Sequence, residues 1–266
     1  MEERDYHAIV RHYEANNEDA RFETRWCGIE YQTTMHYIRK YLRPGAKVLE
    51  IGAGTGRYSL ALAQEGYDVT AVELVAHNLD VLRRKITPDM TIQALQGNAL
   101  DLSRFPDNSF DLTLSLGPMY HLYSEADKKR AISEALRVTK PGGTLMVAYC
   151  ISDGSIVEYV FKMGNLREVL DDGMLDPVTF ATHSGPQAQY LFEMVRKSDV
   201  DALMDGFDTE RLHYVATDGL SYFMRRELEE MDGETFRMFL KYHLAVCENP
   251  DLVGATAHSL DIQRKR

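Results

Sequence analysis

Cysteine is scarce in this sequence of 266 residues, which holds only Cys27, Cys150 and Cys247 and no Cys-x-x-Cys pair. Three isolated cysteines argue against a disulfide framework and a structural zinc site, and they are typical of buried, reduced thiols. Long apolar runs are absent too: the longest, around residues 145–151, is far too short to span a membrane. Because the first residues, Met1–Asp5, are charged and contain no apolar signal-peptide core, we predict a cytoplasmic protein with no membrane partner.

Basic residues are outnumbered, since 30 Lys and Arg face 41 Asp and Glu, which gives a net charge of −11. Such a chain repels a phosphate backbone, which disfavours nucleic acid as a partner. The (Asp/Asn)-Pro-Pro-(Tyr/Phe) and Pro-Cys motifs that act on flipped bases are also missing. No cluster of His, Asp and Glu has the spacing of metal ligands, so we predict no metal site. Ser59 and Ser115 stand outside any Gly-x-Ser-x-Gly context, which leaves nucleophilic hydrolysis unsupported.

Glycine, in contrast, is concentrated within residues 47–57. The apolar residues from Val48 to Ile51 predict a short buried strand, and residues 58–65 are good helix formers. The glycines between them therefore form the strand-to-helix turn of an α/β sheet. In such a turn, backbone N–H groups can approach a ligand at the N-terminus of the helix.

Two classes of cofactor use this kind of turn, and the glycine spacing separates them. The dinucleotide fingerprint Gly-x-Gly-x-x-Gly would need glycine at position 57, where Arg57 stands. The sequence instead reads acidic-x-Gly-x-Gly-x-Gly, with Glu50 ahead of Gly52, Gly54 and Gly56. This pattern resembles motif I of the class I S-adenosylmethionine (SAM) methyltransferases, in particular those that act on small molecules.

A second acid stands at the expected end of the next strand, because Asp68–Glu73 is β-rich and Glu73 lies 17 residues beyond Gly56. A carboxylate there can accept both hydroxyls of a ribose, and the resemblance implies that Glu73 binds the sugar of SAM. Asn98 stands where the family often has an acid that binds adenine; its amide oxygen can still accept that hydrogen bond, and Asp101 is a neighbouring candidate. The residues that the resemblance implies for SAM binding are Glu50, Gly52, Ala53, Gly54, Gly56, Glu73, Leu74, Asn98, Ala99, Leu116 and Gly117.

The segment after the fourth strand is the best placed to meet the methyl acceptor. Ligands of open α/β sheets bind outside the carboxyl ends of the strands, and residues 112–116 predict such a strand. Tyr120 and His121 follow it and are the catalytic candidates, with His121 as the base where the acceptor must lose a proton. Tyr149 and Asp153, at the end of the fifth strand, are weaker candidates.

The family landmarks run in order from residue 44 to 150 and end with the Lys-Pro-Gly-Gly turn and a fifth strand from Thr144. The implied fold is α/β, a Rossmann-like, doubly wound sheet of seven strands in the order 3-2-1-4-5-7-6, with Ala257–Gln263 as an antiparallel edge strand. The predicted parts are an N-terminal helical cap (1–43), the SAM-binding core (44–150), a lid insertion after strand 5 that covers the acceptor (151–197), and the C-terminal part of the core sheet with a helical insertion (198–266). The cap residues within possible reach of SAM or the acceptor are Tyr13, Arg21, Arg25 and Trp26.

These features predict an enzyme that transfers a methyl group from SAM to an undetermined small-molecule acceptor and leaves S-adenosylhomocysteine (SAH). A protein or tRNA acceptor is the alternative within the same class. Two other classes stay open. An NAD-dependent oxidoreductase shares the sheet but is disfavoured by Arg57 and the Lys-Pro-Gly-Gly turn, and a non-catalytic SAM-binding protein is compatible with Asn98. The oligomeric state cannot be read from the sequence.

Overall fold

The computed structural model describes residues 6–15, 24–185 and 191–266, and these fold around one mixed sheet. Within them the strands are β1 (Lys47–Ile51), β2 (Asp68–Glu73), β3 (Ile92–Gln96), β4 (Phe110–Ser115), β5 (Thr139–Ile151), β6 (Met194–Val195), β7 (Thr209–Ala216) and β8 (His258–Lys265). Their order in the sheet is β3-β2-β1-β4-β5-β8-β7, with β6 paired to β5 alone. Neighbouring strands are parallel except at β8, which runs antiparallel to both β5 and β7.

Helices connect the parallel strands, as parallel pairing requires. They are α1 (His7–Ala15), α2 (Arg25–Tyr41), α3 (Arg57–Gln64), α4 (Ala76–Lys85), α5 (Glu125–Val138), α6 (Ser152–Ser155), α7 (Leu166–Asp171), α8 (Lys197–Met204), α9 (Arg225–Glu230) and α10 (Gly233–Val246). A π-helix, Ile156–Lys162, continues α6, and 3₁₀ turns at Pro118–His121 and Gly219–Phe223 follow β4 and β7. The doubly wound α/β class predicted from the sequence is confirmed.

The sheet carries an apolar core on each face. Val48 of β1 lies in the core that contains Ile38 of α2 and Leu62 of α3. Leu49, the next residue, lies in the other core, with Ile132 of α5. All five side chains are almost completely buried. Because the central strands are covered on both faces, they read as continuous apolar runs, and ligands can reach the sheet only at its edges and ends.

The predicted strand order is confirmed in the main sheet, but the predicted count of seven strands is one too few. Met194–Val195 adds a two-residue strand that pairs with Cys150 and Ile151. The pairing between β4 and β5 ends where Ser115 meets Val147, so β6 takes the side of β5 that β4 leaves open. A strand of only two residues is too short to show an alternating apolar pattern, so the sequence does not predict it.

The strand His258–Lys265 corrects a second expectation. It is antiparallel, as predicted, but it is not an edge strand, since it pairs with β5 on one side and β7 on the other. Leu260 and Ile262 are fully buried, as an interior strand requires. β5 also begins at Thr139, so the Lys-Pro-Gly-Gly segment lies inside the strand as an irregularity in its pairing with β4 rather than before it.

The predicted division of the chain into a cap, a core, a lid and a C-terminal part stays a prediction. α1 and α2 precede β1, and α6, the π-helix and α7 lie between β5 and β6. Over the described residues, no helix combines the length and the apolar character needed to cross a bilayer.

The glycine turn between β1 and α3 has left-handed backbone at all three glycines, with φ of +74° at Gly52, +55° at Gly54 and +91° at Gly56. Side chains rarely tolerate this conformation. A Cβ on Gly56 would lie 2.2 Å from Cδ1 of Leu82 in α4, whereas a Cβ on Gly54 would have no atom within 4 Å. Gly56 therefore lets the turn pack against α4, while Gly54 leaves its backbone open to a ligand.

We expect Gly56→Ala to lower the free energy of unfolding by about 3 kcal/mol, because left-handed strain and overpacking against Leu82 add together. Gly66→Ala is the matched control: Gly66 has φ of +90° but no neighbour within 4 Å. In Gly66→Ala the free energy of unfolding should fall by the backbone strain alone, about 1 kcal/mol. Urea denaturation measures both values, and equal losses would contradict the packing role of Gly56.

Candidate active site

The main cavity opens at the carboxyl ends of β1, β2 and β4. Its lining includes the glycine turn after β1, Glu73 at the end of β2 and Gly117 after β4, together with Tyr13 of α1 and Glu30 of α2. Its volume is about 1260 Å³ with the open mouth included. This is the position where open α/β sheets bind ligands, and the space accommodates a nucleoside and a small second reactant together.

The structure brings ten of the eleven predicted SAM-binding residues to this cavity, along with both catalytic candidates, Tyr120 and His121. Gly56 is the exception, because it caps α3 and packs against Leu82 instead. The ten that line the cavity are Glu50, Gly52, Ala53, Gly54, Glu73, Leu74, Asn98, Ala99, Leu116 and Gly117. The role of each of these residues in ligand binding or catalysis stays a prediction.

Glu73 joins the end of β2 to the glycine turn. Its Oε2 accepts a hydrogen bond from the Gly54 N–H at 2.8 Å, and its Oε1 accepts one from the Val75 N–H at 2.8 Å. Burial raises the pKa of Glu73, and these backbone donors partly offset that effect. The carboxylate is thus fixed at the cavity by backbone amides rather than by a cationic side chain, and it is placed to accept hydroxyl donors from a ligand.

Glu50, the acid of the glycine motif, is a buried carboxyl on β1. It accepts a hydrogen bond from the Ser59 hydroxyl of α3. Burial raises the pKa of Glu50 to about 8, although Ser59 works in the opposite direction. The group is therefore mostly protonated near neutral pH, and a cationic ligand in the cavity would favour its ionised form.

Asn98 is held by two partners at the end of β3. Its Nδ2 donates to the Tyr6 hydroxyl at 2.7 Å, and its Oδ1 accepts from the Leu100 N–H at 3.0 Å. Asp101, the alternative acid, is exposed and accepts from the Ser103 N–H at 3.0 Å. Asp101 does not line the cavity, so Asn98 is the residue of this pair that does.

His121 has both ring nitrogens engaged. Nδ1 lies 3.0 Å from the carbonyl oxygen of Leu191, and a carbonyl only accepts, so Nδ1 carries the proton. Nε2 therefore accepts from the Tyr13 hydroxyl at 2.9 Å. Burial lowers the pKa of His121 to about 4, so the ring is neutral near pH 7. His121 can take a proton from a ligand through Tyr13, or directly once Tyr13 gives up this hydrogen bond.

The remaining catalytic candidates have different surroundings. Tyr120 lines the cavity, with its ring centroid 6.2 Å from that of His258. Tyr149 lies in an apolar core, and its hydroxyl has no hydrogen-bond partner within the described part of the chain. Asp153 forms an exposed ion pair with Arg196 at 3.0 Å. Neither Tyr149 nor Asp153 lines the cavity.

Of the four cap residues predicted to lie within possible reach of SAM or the acceptor, the structure places one at the cavity. Tyr13 lines the cavity. Arg25 donates to the Met231 carbonyl, and the Trp26 ring lies 4.3 Å below the guanidinium of Arg225, so both contact the C-terminal helices instead. Arg21 lies outside the described residues.

Sequence reasoning missed an ionic cluster beside the cavity, formed by Glu30, Asp218 and His258. Glu30 lines the cavity, and His258 lies between it and Asp218. The three residues come from α2, the turn after β7 and the start of β8, so no local motif joins them. The one local signal was Asp218, an acid directly after a strand. Among the described residues, no three His, Cys, Asp or Glu side chains are arranged to hold a metal ion.

Comparison with known proteins agrees with the geometry of the glycine turn. A family model described as a methyltransferase domain matches residues 49–147. A demethylmenaquinone methyltransferase from Renibacterium salmoninarum is 43% identical over 106 residues, which are 40% of this chain and 41% of that protein. Residues 49–147 are thus similar to a methyltransferase domain. The match spans 40–41% of the length of three demethylmenaquinone methyltransferases, about two fifths of each.

Solved structures share the fold of this chain. A SAM-dependent methyltransferase from Methanosarcina mazei superposes with a TM-score of 0.57 at 20% identity, over 86% of this chain and 96% of that one. The [4+2]-cyclase SpnF superposes with a TM-score of 0.53 at 20% identity, over 89% of this chain and 81% of that one. At such identities the likeness concerns the fold alone.

The raised pKa of Glu50 makes the stability of the ligand-free protein depend on pH. Because its folded pKa of about 8 exceeds the ordinary 4.5, the folded chain binds more protons than the unfolded chain between these values. The stability from this group is full below pH 4.5 and is lost as pH rises through about 8. We expect Glu50→Gln to gain stability relative to the native chain over this range, by up to about 1 kcal/mol per pH unit.

Urea denaturation without ligand at acidic, neutral and mildly alkaline pH measures this difference. The control is Glu65→Gln, which changes an exposed acid that pairs with Arg39. A difference between Glu50→Gln and the native chain that stays constant with pH would contradict the raised pKa.

Proposed function

We propose that this chain is a SAM-dependent methyltransferase that methylates a small organic molecule and releases SAH. The observation that carries the proposal is the 2.8 Å hydrogen bond from the Gly54 N–H to Glu73, which holds an acid against the glycine turn at the edge of a large cavity. The methyltransferase-domain match over residues 49–147 supports the same reading.

The residues of the cavity fit SAM. Gly54 combines φ of +55° with open space beside its Cα, so the turn can approach the amino-acid part of the ligand. Glu73 would accept the ribose hydroxyls, and Asn98 and Ala99 would meet adenine. Gly117, after β4, would face the sulfonium. SAM supplies an electrophilic methyl group, and the chain contributes chiefly the alignment of the two reactants.

The segment between β5 and β8 supports a small, partly apolar acceptor. A second cavity of about 530 Å³, mouth included, lies in the region predicted as a lid and is lined by Ile156, Val160 and Met174 among others. Phe192 lines it too, and its ring lies 5.3 Å from the ring of His121 at the main cavity. Aromatic and aliphatic walls of this kind suit an organic ring or chain. Among similar proteins, a demethylmenaquinone methyltransferase and a 2-methyl-6-phytyl-1,4-hydroquinone methyltransferase take their names from acceptors of this chemical class.

The alternatives differ in what they would bind or turn over. A fold shared with a cyclase does not by itself decide the reaction, so activity has to be measured. An NAD-dependent oxidoreductase would bind NAD, and a non-catalytic SAM-binding protein would bind SAH without turnover. Calorimetry with SAH and with NAD, followed by transfer of a labelled methyl group to a panel of metabolites, proteins and tRNA, separates these functions. Absence of SAH binding at millimolar concentration would refute the proposal.

We expect Glu73→Gln to weaken SAH binding about 100-fold, because hydrogen bonds from two ribose hydroxyls to a charged acceptor contribute about 3 kcal/mol together. The matched control is Asp101→Asn, which removes an exposed acid outside the cavity and should leave the affinity unchanged. Isothermal titration calorimetry measures both. Native affinity in the Glu73 variant would show that the ribose lies elsewhere.

We expect His121→Ala to keep SAH affinity within about threefold while turnover falls about 100-fold, the range of positioned acid–base groups. Since the pKa of His121 is about 4, its neutral form already predominates at higher pH. The turnover of the variant should therefore be lower than that of the native chain by the same factor from about pH 6 to pH 9. Methyl transfer to an acceptor found in the panel gives this profile. A loss that disappears at alkaline pH would point to another base.

A further inference from the structure

The second cavity is surrounded by a small apolar core of its own. Ile156 and Val160 of the π-helix, Val169 of α7 and the following Leu175 form this core, and each is at most 7% exposed. All four also line the cavity. A void inside a small core costs stability, because the wall atoms lose contacts that a filled core would give them. An apolar cavity of this kind does not order water, and it accepts an apolar guest.

The polar side chains of the lining are bonded to the protein or lie at the surface. Three hydroxyls line the cavity, and each donates to a protein oxygen: Ser155 to the Ile151 carbonyl at 3.0 Å, Tyr159 to Oε1 of Glu168 at 3.3 Å and Thr182 to the Met194 carbonyl at 3.4 Å. His183 lines the cavity as well and is exposed. The described residues of this lining therefore favour a guest for its apolar surface rather than for its hydrogen bonds.

Phe192 joins the second cavity to the main one. It lines the second cavity, and the centroid of its ring lies 5.3 Å from that of His121, which lines the main cavity. Rings at this separation are in contact. The two cavities therefore adjoin at this pair of rings, and an apolar group in the second cavity lies one ring away from the catalytic candidate.

Backbone hydrogen bonds hold Phe192 in this position. The carbonyl oxygen of Leu191, the preceding residue, accepts from Nδ1 of His121 at 3.0 Å. The N–H of Glu193, the following residue, donates to the Tyr120 carbonyl at 2.6 Å. Both chain neighbours of Phe192 are thus attached to the segment after β4. The contact between the two cavities is consequently fixed by the backbone and not by the Phe192 side chain alone.

We propose that the second cavity binds an apolar chain of the methyl acceptor, while the polar head of the same molecule lies in the main cavity at His121. The chain passes beside the Phe192 ring, which makes Phe192 a specificity-determining residue. This inference rests on the proposed methyltransferase function and names its acceptor class, an amphipathic molecule with a compact polar head and an aliphatic chain.

The 4-alkylphenols are the probes for this proposal, since their hydroxyl represents the head and their alkyl group represents the chain. The measurement is calorimetry in protein saturated with SAH. We expect the affinity to rise about threefold for each methylene added between 4-ethylphenol and 4-hexylphenol, because each methylene leaves water for the apolar cavity.

Filling the cavity should abolish this dependence on chain length. Val160→Phe places a larger side chain in the cavity wall, so 4-hexylphenol should bind no more tightly than 4-ethylphenol, while SAH affinity stays unchanged. Val157→Phe is the matched control, the same substitution on the same π-helix at a residue that is 47% exposed and does not line the cavity. Met174→Trp narrows the cavity from a partly buried position and replaces Val160→Phe if that variant does not fold.

NMR of the 4-hexylphenol complex locates the two ends of the probe in the intact protein. We expect nuclear Overhauser effects from the terminal methyl of the probe to the methyl groups of Val160 and Val169, and from its aromatic protons to the ring of His121. Contacts of the chain without contacts of the aromatic head to His121 would show a guest that binds independently of the acceptor, which would overturn the proposal.

Three calorimetric results would also overturn it. Equal affinity for the two phenols, or no binding of either, would show that the native chain holds no apolar chain beside the head. A rise with chain length that persists in the cavity variant would place the alkyl group elsewhere. The same loss in Val157→Phe would show that the effect does not come from the cavity. Absence of SAH binding to the native chain is a separate outcome, since it refutes the proposed function itself.

Discussion

The hydrogen bond from the Gly54 N–H to the Glu73 carboxylate fixes the spacing between the ends of β1 and β2. Two further bonds reinforce it, because the N–H groups of Gly52 and Ala53 both donate to the Val72 carbonyl, at 2.8 and 3.1 Å. The turn is therefore attached to the neighbouring strand at three points. Left-handed backbone at the glycines makes this attachment sterically feasible, and the other residues of the cavity are arranged around the edge that it creates.

The sequence predicts the parts of the site that depend on local patterns. The glycine turn and Glu73 follow from a strand-to-helix motif and from an acid at a strand end, and both lie at the cavity. Asn98 was found in the same way, but its hydrogen bond to Tyr6 was not, because that bond joins residues 92 positions apart. Gly56 shows the limit of motif reading: it belongs to the pattern, yet its contact is with Leu82, which only the packing of α4 reveals.

Long-range side-chain contacts are the part that could not be predicted. Glu30 and His258 meet because β8 inserts between β5 and β7; the predicted strand order places the strand there, but it does not show which side chain of α2 lies against the start of β8. The local signal is weak at each residue of the cluster. Glu30 is a single acid on an amphipathic helix, Asp218 is an acid after a strand, and His258 is a histidine directly before the buried part of a strand. The cluster exists because buried charges require partners, which the tertiary fold supplies.

The first helix has a thermodynamic relation to the cavity that it lines. Tyr6 and Tyr13 are seven residues apart, about two helical turns, and they bond to Asn98 after β3 and His121 after β4. A helix of nine residues has little stability alone in water, so α1 owes its order to these contacts and to the packing of Ile9 near Val75. Occupancy of the cavity and folding of α1 are therefore linked equilibria. A ligand that contacts α1 and leaves both tyrosine bonds intact stabilises the folded helix, whereas one that replaces these bonds removes their contribution.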